Sequence, residues 1–459
     1  MTKKILIFNG HARASYRWGM FGETVLRLLE DENNEVYYMD CNGAVKTPCG
    51  FNAKKHIGYC NKCNKPCLKL LKHIKFDENH ILKMKKYPKV KFAQLNNIKD
   101  AIDYEYDGYN YGLAPVSTIM TLTRDYDFDI KKWQKKLHAF FQTEYVVFKN
   151  LEYFHKIYNF DEIHTFNGRV PVMYPCVEFA KKNNLKFVLR EGGAKINHLR
   201  TVENDFVHSF DFWKEEIKQY WQKNDPNREE LAQKWFEDRR KGAFQAMESF
   251  TKDQKKGSLP KNWDENRENI VFFNSSIDEV YAFDCWKHPF VDTENEIIEA
   301  MLERYKDDEN KHFYLRIHPN LTVAKKKKST QIRQINEFKK KYKNLTIIEP
   351  DEKIDTYALM DACDKVLTTY STVGIEATYW GNLSIIAGKA PYEDLDCVYQ
   401  ANSMEEFFKL IDDKNLTPKK RENTYPYGYR AEVYGDKYKY YTLESRKKGN
   451  FLGMELKSK

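Results

Sequence analysis

Apolar runs of strand length, each closed by a polar loop and followed by a helical pattern, predict an α/β protein built on parallel sheets. Three observations carry the prediction. Within residues 313–388, FYLRI, LTIIEP and KVLTT read as buried strands, and each is followed by helix-period sequence. The same rhythm recurs in the N-terminal half, at ILIF (5–8), EIHTF (162–166) and KFVLR (186–190). Between the halves lies a charged run, residues 251–268, with Gly257 and Pro260, which suits a domain boundary. A chain of 459 residues accommodates two such domains. The expected division is 1–255, 265–420 and a tail, 421–459.

Taken in order, Ile5–Phe8 should form the first strand and Glu35–Met39 the second, with a helix through Leu26–Leu29 between them. Residues 77–111 are polar, rich in Lys and Tyr and weakly periodic, and predict an irregular insertion. Residues 133–160 place Trp133, Leu137, Phe140, Phe141, Phe148, Leu151, Phe154 and Ile157 mostly at three- and four-residue steps, the mark of a core helix. Residues 214–250 are charged and helical. In the second half, helices are expected at 294–305, 333–342, 354–363 and 404–411. The tail PYGYRAEVYGDKYKYY is too aromatic for a free end and should dock back on the molecule.

Hydrophobic residues make up 41% and charged residues 31%, as in a soluble globular protein. No apolar run approaches the roughly 20 residues that span a bilayer. The start, MTKKILIFNG, reads as a strand and turn rather than a signal peptide. A cytoplasmic protein is expected. The net charge of +9 suits a nucleotide, an acidic glycan or peripheral association with the inner face of an anionic membrane, and equally plain solubility. Five of nine cysteines crowd one segment: Cys41, Cys49, Cys60, Cys63 and Cys67. Cys60 and Cys63 form a zinc half-site that Cys41 and Cys49 could complete. The spacing matches no standard finger, so a structural knuckle or reduced packing cysteines are favoured over a structural zinc.

Polar residues cluster where strands end, the place where parallel sheets bind ligands. Arg316 and His318 follow one strand, Ser275 and Ser276 another, and Tyr370, Ser371 and Thr372 a third. Thr372 suits the cap of a helix over 373–380, which makes an anion site, and Gly374 in its first turn suggests a ligand pressing on the backbone. Glu376 falls one place too late for a capping box and suits either the helix dipole or a ligand hydroxyl. In the N-terminal half, Gly10, Arg13, Tyr16, Arg17 and Trp18 follow the first strand; Asn167 and Arg169 follow 162–166; Glu191, beside two glycines, follows 186–190. Glu191 suits a general base or a salt bridge to Arg169 or Arg190. The D-x-D pattern at Asp125–Asp129 precedes the long helix, where aspartates cap, so no catalytic metal is expected.

STVGIEATYWGN (371–382), preceded by RIHPN (316–320), resembles the C-terminal domain of bacterial capsule and surface-polysaccharide glycosyltransferases of the GT-B type. FNGRVPV (166–172), LREGGA (189–194) and NSSIDEVYAF (274–283) are similar to motifs of the same group. The HP pair also resembles Kdo- and sialyltransferases. The resemblance implies two Rossmann-like domains facing a cleft, with the C-terminal tail crossing back. It implies nucleotide-sugar binding by 265–420, through Ser275, Ser276, Arg316, His318, Tyr370, Ser371, Thr372 and Glu376. The acceptor, a glycan or lipid-linked glycan, would meet Gly10, Arg13, Arg17, Asn167 and Arg169. Glu191 and His318 would be catalytic, with no cofactor required. Three alternatives remain open: a glycerophosphotransferase-like enzyme, a sugar-nucleotide epimerase on the same fold, and a zinc and nucleic-acid binder. The last leaves the HPN and STVGIEA loops unexplained, so no nucleic-acid partner is expected.

Overall fold

The computed structural model describes residues 2–9, 15–49, 63, 65–243, 251–279, 281–323 and 328–458. The chain forms two compact units. Unit 1 comprises Met1–Ile119, Asp129–Val207 and Tyr434–Lys459; unit 2 comprises Met120–Phe128 and His208–Val433.

Unit 1 opens with β1 (Lys3–Phe8), α1 (Ser15–Leu29) and β2 (Asn34–Asp40). Its helices continue with α2 (Lys65–His73), α3 (Ile98–Ile102), α4 (Leu113–Thr123), which runs on into unit 2, α5 (Ile130–Tyr158) and α6 (Tyr174–Lys182). Its strands continue with β3 (Ile81–Lys83), the small hairpin β4 (Glu105–Tyr106) and β5 (Tyr109–Asn110), β6 (Glu162–Phe166), β7 (Lys186–Gly192) and β8 (His198–Glu203). The sheet runs β8-β7-β6-β1-β2-β3, parallel except for β8. Its central strands are covered on both faces, so every residue of β6 is buried, as parallel strands require.

Residues 77–111 are less irregular than their composition predicts. Ile81–Lys83 joins the sheet edge beside β2, and three residues are too few to show a period. The long α5 starts at Asp129, whose carboxylate accepts from the Lys131 N–H, and ends at the left-handed Asn159. Its apolar stripe is buried from Leu137 to Phe154, while Trp133 is half-buried in the first turn and Ile157 is 54% exposed in the last.

Unit 2 holds α7 (Phe210–Trp221), α8 (Arg228–Arg240), β9 (Glu268–Phe273), α9 (Glu294–Arg304), β10 (Lys311–Arg316), α10 (Thr330–Lys341) and β11 (Leu345–Ile348). It continues with α11 (Thr356–Ala362), β12 (Lys365–Thr368), α12 (Val373–Tyr379), β13 (Ser384–Ala387), β14 (Tyr399–Ala401), α13 (Met404–Asp412) and α14 (Tyr425–Val433). The sheet order is β11-β10-β9-β12-β13-β14, all parallel. Counted within the unit this is 3-2-1-4-5-6, the doubly wound Rossmann order, with its switch point between β9 and β12.

The units divide at Val207/His208, ahead of the 251–268 stretch that composition selects. Helices α7 and α8 pack within unit 2: Phe236 stacks on Tyr379 at 4.0 Å, and Arg430 Nε donates to Glu216 at 2.7 Å. Residues 251–268 are a surface loop of unit 2, pinned by Gln254 to Thr356 and by Trp263 against Tyr314. Charged segments resemble linkers in composition even when their few aromatics are buried.

The tail belongs to both units in sequence. Helix α14 lies in unit 2, and from Tyr434 the chain is part of unit 1. There β15 (Asp436–Lys437) pairs with β8 as a seventh strand. The meander β16 (Tyr441–Ser445), β17 (Lys448–Phe451) and β18 (Met454–Lys457) packs on α1. A Cβ on Gly19 would fall 2.1 Å from the Tyr441 ring, which explains a glycine inside a helix. Glu23, fully buried on α1, accepts the N–H groups of Lys439, Tyr440 and Tyr441 at 2.7, 2.8 and 3.2 Å.

Candidate functional site

In unit 2 three loops leave neighbouring strands β10, β9 and β12 at their carboxyl ends. Asn274, directly after β9, is buried, and its Oδ1 accepts the His318 N–H at 2.7 Å. His318 Nδ1 accepts the Asn320 N–H at 3.2 Å, so in the neutral ring the proton resides on Nε2. Burial, with the nearby charges of Arg316 and Arg124, pulls its pKa down to about 4 against the pull of Asp278. His318 is therefore a neutral donor rather than a source of positive charge.

Glu294, the first residue of α9, was not singled out by sequence. Its side chain is buried across the switch point, accepting the Ser275 N–H at 2.8 Å and the Thr369 hydroxyl. Burial pushes its pKa up to about 8, against those two hydrogen bonds. Only an acidic residue at the start of a helix, an ordinary position, marks it in the sequence. Ser276 Oγ donates to buried Asp278 at 2.7 Å, and Asp278 pairs with Arg124 at 3.1 Å.

Several expectations for this half are corrected. Arg316 is buried, and its terminal nitrogens donate to the carbonyls of Glu349 and Glu352 at 3.1 and 3.2 Å. It braces the loop between β11 and α11 and is not offered to phosphate in this conformation. Glu376 is buried among Arg239 (3.0 Å), Thr372 (2.9 Å) and Tyr357 (2.6 Å), so it faces no ligand hydroxyl. Thr372 occupies the cap position but directs its hydroxyl to Glu376; Ser371 Oγ instead accepts the Val373 N–H at 3.2 Å. A Cβ on Gly374 would lie 2.5 Å from the Tyr392 hydroxyl, so a buried tyrosine accounts for that glycine. Tyr370 is half-buried, its ring 6.1 Å from that of His288.

In unit 1, β6 and β7 are adjacent and bring Asn167 to Glu191: Asn167 Nδ2 donates to the carboxylate at 2.7 Å. Burial raises the Glu191 pKa, against the bonds from Asn167 and the Gly192 N–H. Glu191 is a strand residue paired opposite Arg200, not a loop residue freed by glycines. Gly193 is small because its Cβ would strike His198 and the Tyr434 carbonyl. Arg17 lies over the Phe166 ring at 4.5 Å, and Arg169 is half-buried. Gly10 and Arg13 lie outside the described residues, as does Cys60. Cys67 is a core thiol accepting from Asn9, while Cys41, Cys49 and Cys63 are partly exposed. Among the described residues no three His, Cys, Asp or Glu side chains are grouped to hold a metal, and no helix is long and apolar enough to cross a membrane.

Comparison with known proteins bears on this site. Residues 265–415 match the family model "Capsule polysaccharide biosynthesis protein", which covers the sheet of unit 2 and its strand-end loops. No curated protein matches. Among solved structures, the chain is similar to the β-Kdo 2,4 transferase KpsC of Thermosulfurimonas dismutans, at 12% identity and TM-score 0.38, over 59% of this chain and 79% of that one. It is also similar to S. aureus MnaA in a UDP co-structure (10%, TM-score 0.31, 94% of each chain). UDP-GlcNAc 2-epimerase from Neisseria meningitidis bound to UDP-GlcNAc matches at 10% and TM-score 0.25, over 94% of this chain and 98% of that one. No residue role passes from these structures to this chain. Each unit is built on a parallel, Rossmann-like sheet, with one antiparallel strand at the edge of the sheet of unit 1 before the tail strand.

Proposed function

We propose that the chain is a glycosyltransferase that moves a sugar from a nucleotide-sugar donor to a surface or capsular glycan, or to its lipid-linked precursor. The observation that carries the reading is the tying of three strand-end loops at the switch point of a 3-2-1-4-5-6 sheet. Asn274 holds the His318 backbone, and Glu294 joins Ser275 to Thr369. Ligands of doubly wound sheets bind there, and the capsule-family pattern spans the same segment.

In this reading the neutral His318 donates from Nε2 to the leaving phosphate, helped by the Tyr370–Thr372 loop. Such donors stabilise charge that develops as the glycosidic bond breaks. Glu191, its pKa raised by burial and its carboxylate oriented by Asn167, takes the acceptor's proton. Arg17, Asn167 and Arg169 orient the acceptor. The chemistry needs no metal, and the cysteines are structural.

The test starts with a thermal-shift screen of CMP, CDP, UDP, GDP and their sugars. A ligand at about a hundred times its Kd stabilises by about 2.7 kcal/mol. With the donor known, His318→Ala should lower transfer by about tenfold to a hundredfold, matching a charged hydrogen bond of about 1.5–3 kcal/mol. Its melting temperature should stay near that of the parent. Unchanged nucleotide affinity and turnover would remove His318 from the site. Sugar isomerisation without any acceptor would identify an epimerase instead.

A further inference from the structure

Unit 1 contains a second feature, centred on Arg190, a residue to which the transfer chemistry above gives no role. A cavity of about 30 Å³ opens between α1 and the carboxyl ends of β1 and β6; its walls are apolar on one side, from Phe8, Phe21 and Phe166 among others, and its charged or titratable lining is Arg17, His164 and Arg190. A site needs on the order of 10–15 Å³ for one water-sized group, so the space suits a single small polar group rather than a sugar ring.

Arg190 is the unusual member. It stands on β7 opposite Thr201 and beside Phe166 of β6. One terminal nitrogen donates to the Thr201 hydroxyl, the other to His164 Nδ1 at 3.1 Å, and Nε is buried with no partner. His164 in turn donates from Nε2 to Glu162 at 2.9 Å. Glu162 is already matched by Lys3 and Lys186, with His164 between it and the guanidinium. Glu203, Glu162 and Asp436 act on Arg190 only at longer range, and burial lowers its pKa to about 10. Among the described residues this enclosed guanidinium touches only neutral groups and lacks the carboxylate that buried cations normally pair with. His164, its own pKa held near 4 chiefly by burial, does not become a second cation at neutral pH.

We propose that this cavity binds a compact carboxylate, that of an acidic sugar on the acceptor glycan, with Arg190 supplying the donors. A guanidinium recognises such an oxyanion through its planar fork, which lysine cannot reproduce. Thr201 and His164 hold the fork in place, and Arg17 adds positive charge to the lining. The site rests on the proposed transfer only in naming the acceptor as the source of the carboxylate; the cation itself is a property of the fold.

The test is calorimetric titration of the full chain with glucuronate, glucose and inorganic phosphate at low and high salt. Glucuronate should bind, weaken with salt, and exceed glucose by about tenfold or more. Arg190→Lys should lose part of that preference and Arg190→Gln all of it. If Arg190→Gln does not fold, Arg190→Lys and Thr201→Val carry the comparison. Equal binding of glucuronate and glucose, or a preference indifferent to these substitutions, overturns the proposal. Phosphate bound in preference to glucuronate also overturns it, because the carboxylate is then not the ligand. Nucleotide binding measured on the same protein separates this site from the transfer reading. Its loss with an intact glucuronate preference would refute the transferase, and the reverse would refute only this site.

Discussion

At the residue scale, the polar groups that composition places at strand ends divide into those exposed to a ligand and those used up by the fold. Glu376 belongs to the second group. Removing its carboxylate strands Arg239 and the Tyr357 hydroxyl in a largely enclosed site, so Glu376→Ala should lower stability by about 2–3 kcal/mol in urea unfolding. Nucleotide affinity of the folded fraction should be unchanged; a selective loss of affinity would return Glu376 to the ligand. Glu294 makes a prediction in pH. Its folded pKa, about 8, exceeds the ordinary carboxyl value of 4.5, so between these values the folded protein holds more protons than the unfolded chain. Its contribution to stability must fall as pH rises from about 4.5 through 8. Glu294→Gln removes that slope, and unfolding midpoints for parent and variant at pH 5, 7 and 9 measure the difference. His318 has the opposite sign. With a folded pKa near 4 against an ordinary 6.5, its contribution is lost as pH falls from about 6.5 to 4.

At the scale of elements, two helices are shaped by what packs on them. Gly374→Ala in α12 places a methyl group against the Tyr392 hydroxyl, and overpacking of this kind costs about 1–3 kcal/mol. Tyr392→Phe in the same chain should recover part of the loss; a ligand-based reason for the glycine predicts no recovery. In α1, Glu23 accepts three consecutive N–H groups that lead into β16. Glu23→Ala leaves these donors without their carboxylate and should cost about 1.5–3 kcal/mol, read as a lower melting temperature. The α1 helix reads as ordinary amphipathic sequence, and nothing in it announces that its glycines face a β-meander from the far end of the chain.

At the scale of the whole molecule, the tail is part of the body of unit 1. A chain ending at Val433 loses β15, the partner of β8, and uncovers Glu23 on α1. It should therefore unfold at lower temperature and denaturant than the full chain, with exposed apolar surface reported by dye binding. Unchanged unfolding would show the tail to be dispensable. The division of units at Val207/His208 belongs to the same scale. Charged helices α7 and α8 look like a solvated connection, yet each spends its few apolar side chains on a partner distant in sequence.

Local patterns alone specify the parallel α/β class, most strands, the long α5 helix and its Asp129 cap. They do so because strand and helix periods, turn residues and capping chemistry act over a few neighbours. The same local reading locates the strand-end loops at Asn274–Ser276, His318 and Thr369–Thr372, since a polar loop after a buried strand is a short-range signal. It misses Glu294 and Arg190, whose surroundings are assembled from partners far apart in the chain. It also assigns Arg316, Thr372, Gly374 and Glu376 to a ligand when Glu349, Glu352, Arg239, Tyr357 and Tyr392 already engage them. Whether a polar side chain is consumed by the fold or left for a ligand depends on which distant donors and acceptors meet it. That is decided only when packing brings them within hydrogen-bond distance.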